Sequence, residues 1–341
     1  MKARLPALRR PTTLVCAGRE LFNSFFAASQ AKRLSEVCDW HLDGASNVKK
    51  LRKKLATAEV LITTWDSPKF SEDLPQLGPK LRLISHCGGE VKSRFARSLF
   101  EKITITNAAD AMARATAEMG AAFLLYGARN IDYYRDKMRK PSNRIYEQIH
   151  LHGNVEGLAG RQVGMIGFGR IGRALIDLMR GFQLTWIVYD PYAPRDLVND
   201  YPLRFVELHD LLSQAELLVL TAALTDETRG LLDREHLAEL PNGAFIVNIA
   251  RGGLVDLDAL TREVKSGRLR CAIDVTDPFE PLPLTHPIRR LSGAIVTPHI
   301  AASNRNVREQ IANVVMDDIE SFFAGRGVKN QVTTAMLDRM T

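Results

Sequence analysis

The sequence predicts an α/β protein built from two doubly wound parallel-sheet domains, and three observations lead there. The chain is 341 residues long, more than one hydrophobic core usually serves. Short β-type runs alternate with helical stretches almost throughout, the order that lays helices over a parallel sheet. In the second half those runs are nearly continuous Val, Ile and Leu, as strands buried on both faces require.

Taken in order, the first third has β-type runs at 12–17, 58–65, 81–87 and 103–107, with helical stretches near 19–37, 48–57 and 91–100 between them. A long proline-free helix is expected over 112–138, with Gly120 and Gly127 in its interior. Residues 141–160, polar and glycine-containing with His150 and His152, read as an irregular connection. The second block places strands at 162–166, 185–189, 216–221, 244–249, 271–275 and 294–297. A last helix is expected over 304–323, capped by Ser303 or Asn304. Its apolar stripe is Ile311, Val314, Val315, Ile319 and Phe322, and Gly325 is placed to end it.

Composition narrows the function classes. A hydrophobic fraction of 45% with 25% charged residues describes a folded chain. No apolar run approaches the roughly 18–20 residues of a membrane span. Residues 1–11 are basic but lack the apolar stretch of a secretory signal, and read as a frayed start. Cys16, Cys38, Cys87 and Cys271 are scattered without pair or metal-ligand spacing, so we expect reduced thiols, a cytoplasmic setting and no metal. Cys16 and Cys271 sit in apolar runs and read as core. The net charge of +7, from 46 basic and 39 acidic residues, is spread along the chain. That distribution disfavours nucleic acid as a partner and suits small anionic ligands.

The sharpest motif is Gly167-Phe168-Gly169-Arg170-Ile171-Gly172, directly after the expected strand 162–166 and opening a helix. In that helix Ile171, Ala174, Leu175, Leu178 and Met179 share one face. Gly167 permits the turn, Gly169 lets a pyrophosphate reach the backbone, and Gly172 lets helix and strand approach. Amides at the helix start then hold the phosphates. Asp190, closing the next strand, can accept both hydroxyl bonds of an adenosine ribose and would repel a 2′-phosphate, which favours NAD over NADP.

Further chemistry-bearing residues stand where later strands finish, the edge at which open parallel sheets bind ligands. Arg251 follows the strand 244–249, Asp274 lies in the strand 271–275 that leads to Glu280, and His299 follows the strand 294–297. A guanidinium matches a carboxylate and polarises a keto oxygen. An imidazole takes a hydroxyl proton as hydride leaves. A carboxylate against that imidazole would fix its orientation and stabilise its charged form.

Residues 163–172, Tyr189-Asp190-Pro191, 224–230, 248–253, Asp274-Val275, Glu280-Pro281 and Thr297-Pro298-His299 together resemble the D-isomer-specific 2-hydroxyacid dehydrogenases. The resemblance implies a flavodoxin-like catalytic domain, 11–111 with 304–341, and an inserted Rossmann-type NAD-binding domain, 112–303. It implies hydride transfer between NAD and a small D-2-hydroxy or 2-keto acid. Arg251 would bind substrate, His299 would be the acid/base and Glu280 its tuning partner. Asp274 would hold the nicotinamide carboxamide, and Thr221 would lie beside the cofactor. Gly88 and Gly89 would offer amides to the substrate, and two copies would pair through the NAD-binding domain. Glutamate at 280 argues against the formate dehydrogenase branch. The alternative class is an NAD(H)-responsive dimeric binding protein, like the corepressors that resemble this family.

The substrate loop departs from the family pattern. Glu90 and Lys92 stand where glycine and aspartate are usual, Asn107-Ala108-Ala109-Asp110 replaces Asn-x-Pro-Gly, and Arg114 stands where a small or acidic residue is common. Thr116-Ala117-Glu118 keeps the family form, while Thr221-Ala222-Ala223 lacks a proline. Lys92 or Arg114 is a candidate for recognising a second anionic group. The loops that set specificity are those that differ, so the acid itself stays open.

Overall fold

The computed structural model describes residues 9–44, 47–139, 144–152 and 157–340. Of the basic start, residues 1–8 lie outside the described residues, as do 141–143 and 153–156 of the expected connection. The chain divides into two compact units, Met1–Met112 with Ser303–Thr341, and Ala113–Ala302.

The first unit is a five-stranded parallel sheet of β1 (Thr12–Cys16), β2 (Asp39–Asp43), β3 (Val60–Thr63), β4 (Leu83–His86) and β5 (Thr104–Asn107), in the order β2-β1-β3-β4-β5. β2 is absent from the pattern reading because Asp-Trp-His-Leu-Asp carries no apolar run; it is an edge strand held by the main-chain ladder to β1. The helical stretch 19–37 is two helices, Arg19–Phe25 and Ala28–Val37, since Phe26 leaves helical geometry at φ −107°. Over 91–100 only Leu99–Lys102 begins a helix. Val91 and Phe95 bury themselves from an irregular loop, with Phe95 stacked on Phe70. Tertiary packing overrides the local period there.

The second unit is a seven-stranded parallel sheet of β6 (Gln162–Ile166), β7 (Thr185–Tyr189), β8 (Leu203–Phe205), β9 (Leu217–Leu220), β10 (Phe245–Asn248), β11 (Arg270–Ile273) and β12 (Ala294–Val296). Its order is β12-β11-β10-β9-β6-β7-β8. The chain starts at β6, winds outward through β7 and β8, then returns to β9 and winds the other way. The topological switch point therefore lies between β6 and β9, and one core fills each face of the sheet. The short edge strand β8 has no counterpart among the expected runs.

The expected helix 112–138 is interrupted at Asn130, which takes a left-handed conformation at φ 49° between the helices Ala109–Ala128 and Ile131–Met138. Gly120 and Gly127 let the first of these lie against the sheet. A Cβ would come within 2.7 Å of Ile249 at the former and 2.1 Å of the Phe245 ring at the latter. The expected irregular connection contains a further helix, Arg144–His152, whose Tyr146 and Leu151 stay exposed.

The last helix, Arg305–Phe323, belongs to the first unit and is capped by Asn304, whose Oδ1 accepts from Val307 N at 3.0 Å. Val307, Ile311, Val315, Met316 and Ile319 form its buried face, with Val314 and Phe322 at the margin. Gly325, at φ 68°, follows its end.

Candidate active site

The glycine turn follows β6 at the switch point. Gly167 has φ 91°, and a Cβ on it would sit 2.4 Å from the Ala222 backbone. A Cβ on Gly172 would sit 2.8 Å from Met165 Sδ and 2.9 Å from the Gly167 carbonyl. Both glycines are thus required by the chain itself. Gly169 is different: a Cβ there would meet nothing within 4 Å. The space beside it at the start of the helix Arg170–Met179 is what a pyrophosphate would occupy, and the turn fits the group.

Around this turn, Thr221 Oγ1 donates to the Gly167 carbonyl at 2.5 Å. Arg170 is exposed, and Ile171 packs half-buried against the sheet core. The Asp190 carboxylate accepts from Phe168 N at 2.7 Å, Tyr192 N at 2.9 Å and Ala193 N at 3.1 Å. The end of β7 is thereby tied to the middle of the glycine turn.

Arg251, Glu280 and His299 leave the same edge of the same sheet, from the loops after β10, β11 and β12. Gly252 sets the path of the first loop, since a Cβ there would lie 2.1 Å from the Thr276 carbonyl carbon. Arg251 Nη1 donates to the Ala250 carbonyl at 2.8 Å, and Asn248 Nδ2 donates to the Arg251 carbonyl at 2.9 Å. Glu280 Oε2 lies 3.1 Å from His299 Nδ1. A carboxylate can only accept, so Nδ1 carries the hydrogen and Nε2 is left to exchange a proton.

His299 has φ 54°, unusual for a side chain of its size. Asp274, 1% exposed, holds it there. Its backbone carbonyl accepts from His299 N at 2.9 Å. Its Oδ1 accepts from Thr297 Oγ1 at 2.5 Å and Ile300 N at 2.9 Å, and its Oδ2 from Ala301 N at 2.9 Å. The resemblance casts Asp274 as a partner of the nicotinamide; in this fold its carboxylate is already committed to the turn that carries His299.

In the first unit, the turn after β4 has a defined polarity. Gly88 N donates to the His86 carbonyl at 2.8 Å, so that amide is occupied. The Gly88 carbonyl accepts from Ala108 N and the Gly89 carbonyl from Asn107 Nδ2, each at 2.8 Å. In a trans peptide the following N–H points opposite its carbonyl. The amides of Gly89 and Glu90 therefore face away from β5, side by side. The Glu90 side chain caps the turn, accepting from Ser93 N at 2.6 Å and Ser93 Oγ at 2.8 Å.

A sequence profile of the D-isomer specific 2-hydroxyacid dehydrogenase, NAD binding domain, matches residues 121–301. The chain belongs to the D-isomer specific 2-hydroxyacid dehydrogenase family. It is 31% identical over 299 residues to a hydroxypyruvate reductase of Thermotoga maritima, covering 86% of this chain and 92% of that one. It is 30% identical over 306 residues to a D-3-phosphoglycerate dehydrogenase of Methanocaldococcus jannaschii, covering 88% of this chain and 56% of that one. The chain thus spans little more than half the length of the latter relative. Among solved structures, the TT0316 protein from Thermus thermophilus matches with a TM-score of 0.74 at 28% identity, over 94% of this chain and 100% of that one. Residues 121–301 are thus the NAD-binding domain of a member of this family.

The remaining titratable groups bear on the departures from the family pattern. Arg114 pairs with Glu118 at 3.4 Å. Arg97 and, more weakly, Lys92 hold the exposed Asp338 carboxyl below its usual range. Both cations singled out in the sequence thus have acidic neighbours. Burial pushes all four cysteine thiols up, so none is a poised thiolate. Among the described residues no group of three His, Cys, Asp or Glu side chains could hold a metal, and no helix is long and apolar enough to cross a membrane.

His86, fully buried with Nδ1 2.9 Å from Thr63 Oγ1, is pushed down to about 3 by burial and then by Arg94. The folded state holds it neutral while the unfolded chain protonates it near 6.5. Its contribution is complete above about pH 6.5 and declines as pH falls toward 3, by up to about 1.4 kcal/mol per pH unit. Urea unfolding should show His86→Gln removing about 2 kcal/mol of the stability lost between pH 7 and pH 5. An unchanged pH slope in the variant would exclude this origin.

Proposed function

We propose that this chain is an NAD-dependent oxidoreductase interconverting a small D-2-hydroxy acid and its 2-keto acid. The observation that carries the reading is the His299–Glu280 contact, at 3.1 Å, on the sheet edge that also bears Arg251 and the glycine turn. When bound, the nicotinamide takes or gives the hydride. His299 Nε2 takes the hydroxyl proton of the hydroxy acid and returns it to the keto oxygen in the reverse direction. Glu280, accepting from Nδ1, fixes the tautomer and stabilises the imidazolium. Arg251 pairs with the substrate carboxylate and polarises the keto oxygen. Asp274 is the positioning residue of the His299 turn. Gly167, Gly169, Arg170, Ile171, Gly172 and Thr221 form the pyrophosphate cradle. Asp190 selects NAD by repelling a 2′-phosphate. In the first unit we assign carboxylate recognition to the Gly89 and Glu90 amides, with Gly88 shaping their turn.

No observation favours the corepressor-like alternative, and the relatives above carry the names of a reductase and a dehydrogenase. The four buried free cysteines suit a reducing, cytoplasmic setting. We also infer a homodimer formed through the helices Ile131–Met138 and Arg144–His152. Ile131, Tyr133, Met138, Tyr146 and Leu151 are exposed there, Leu151 to 77%, and a second copy would cover them.

Three outcomes are expected. His299→Gln should bind NADH normally yet turn over at least about a hundredfold more slowly, since a positioned acid/base contributes roughly 10²- to 10⁴-fold. Unimpaired turnover on a panel of 2-keto acids would refute the assignment. Gly169→Ala should melt within a few degrees of the parent without ligand while losing most of its NADH affinity by fluorescence titration; equal affinity would remove the cradle. Sedimentation should give a dimer that Leu151→Asp dissociates, and a monomeric parent at micromolar concentration would defeat the pairing.

A further inference from the structure

The first unit has its own switch point, between β1 and β3, where its strand order reverses. Open parallel sheets take ligands at that place, beyond the strand ends. An open recess lies there, lined by Gly18, Arg19, Glu20, Leu21, Asp66 and Arg308. Nothing in the hydride chemistry uses it.

Arg308 is the unusual member. Its Nη1 donates to Ser24 Oγ at 2.5 Å and its Nη2 to Ser303 Oγ at 3.1 Å. Its guanidinium lies 5.1 Å from the Trp65 ring centroid and 5.5 Å from that of Phe25. Every one of these partners is neutral, and no carboxylate stands within 4.0 Å of it among the described residues. Two of its five N–H donors are used, and its orientation is set by stacking. Asp66, across the recess, is pinned elsewhere: Oδ2 accepts from Gly18 N at 2.8 Å and Oδ1 from Thr64 Oγ1 at 2.5 Å. Glu20 and Arg19, both exposed, are adjacent and of opposite sign.

Trp65 connects this recess to the amide turn. Its loop is anchored from beneath by Arg94, whose Nη2 donates to the Trp65 carbonyl at 3.1 Å and whose Nη1 donates to the Ser67 carbonyl. One side of the indole faces Arg308. Its Nε1 reaches within 2.7 Å of where a Gly88 Cβ would stand, the same distance as His86 Nε2. The same ring thus touches both the guanidinium and the turn at Gly88.

We propose that this recess is a second anion subsite, in which Arg308 receives a distal carboxylate or phosphate of the substrate and Trp65 is the wall between it and the turn at Gly88. The inference rests on the dehydrogenase reading and narrows its substrate class to hydroxy and keto acids carrying two anionic groups. Lys92 and Arg114 are poorer candidates because each already has an acidic neighbour.

The test compares matched keto acids that differ in the distal group: oxaloacetate against 2-oxobutanoate, and phosphohydroxypyruvate against hydroxypyruvate. The parent should prefer the dianionic member of at least one pair by about tenfold or more in kcat/KM, the scale of a charge-assisted hydrogen bond. Whichever pair shows it identifies carboxylate or phosphate as the group read. Arg308→Gln should erase that preference chiefly through KM, and Arg308→Lys should retain part of it. Turnover of keto acids without a dianion preference, or with one that survives in Arg308→Gln, overturns the subsite and leaves the dehydrogenase reading standing. Absence of NADH oxidation with every acid would instead count against the dehydrogenase reading. The subsite is then judged by binding alone, as quenching of tryptophan fluorescence by succinate or inorganic phosphate. Quenching present in the parent and lost in both Trp65→Phe and Arg308→Gln supports it, and no difference among the three overturns it.

Discussion

The candidate site depends on one buried carboxylate. Asp274, at the end of β11, gathers the Thr297 hydroxyl and the amides of Ile300 and Ala301 onto its two oxygens, while its own carbonyl takes the amide of His299. A non-glycine residue in the left-handed region is held only where its surroundings over-determine it, at a cost of order 1–3 kcal/mol. Charge-assisted bonds in a desolvated position offset that cost. The histidine is therefore aimed by the strand beside its own, and Glu280 completes the alignment from the loop that follows that same strand, β11. The hydride chemistry proposed here inherits its geometry from a sheet, which is stiffer than any loop.

Close backbone approach is the second constraint, and it explains several glycines by different means. Gly252 lets the Arg251 loop lie against Thr276, Gly167 lets the cofactor turn lie against Ala222, and Gly127 lets a helix rest on Phe245. Gly169, by contrast, has open space beside it, so the packing of the chain itself does not require a glycine there. The two kinds of glycine look identical in a motif.

The altered substrate loop also becomes intelligible in physical terms. Glu90 replaces a family glycine, yet its carboxylate folds back onto Ser93 and leaves the amide side of the turn clear. Lys92 faces Asp338. The substitutions change how the turn is braced while preserving a pair of outward amides. The recess beyond β1 and β3 instead offers Arg308, a cation held by neutral partners and far away in the chain, which explains why a search of the loop itself pointed elsewhere.

The fold class was legible because alternation, apolar runs and a strand–glycine–helix junction are local patterns with local causes. The same holds for Arg251, Glu280 and His299, which sit at strand ends by simple counting of runs. What the pattern missed shares one cause. β2 and β8 are edge strands made by main-chain pairing more than by apolar content. The helix Arg144–His152 lies in a stretch whose polar residues and histidines read as a connection, and the loop around Phe95 buries apolar residues without periodic structure. By itself the sequence determined the layers, the strand–glycine–helix turn and the placing of Arg251, Glu280 and His299 after successive strands. Only the tertiary structure decided which amides of the 86–90 turn face outward, what Asp274 holds and which groups surround Arg308. Those properties belong to pairs of groups distant along the chain, and no local spacing encodes a distance in space.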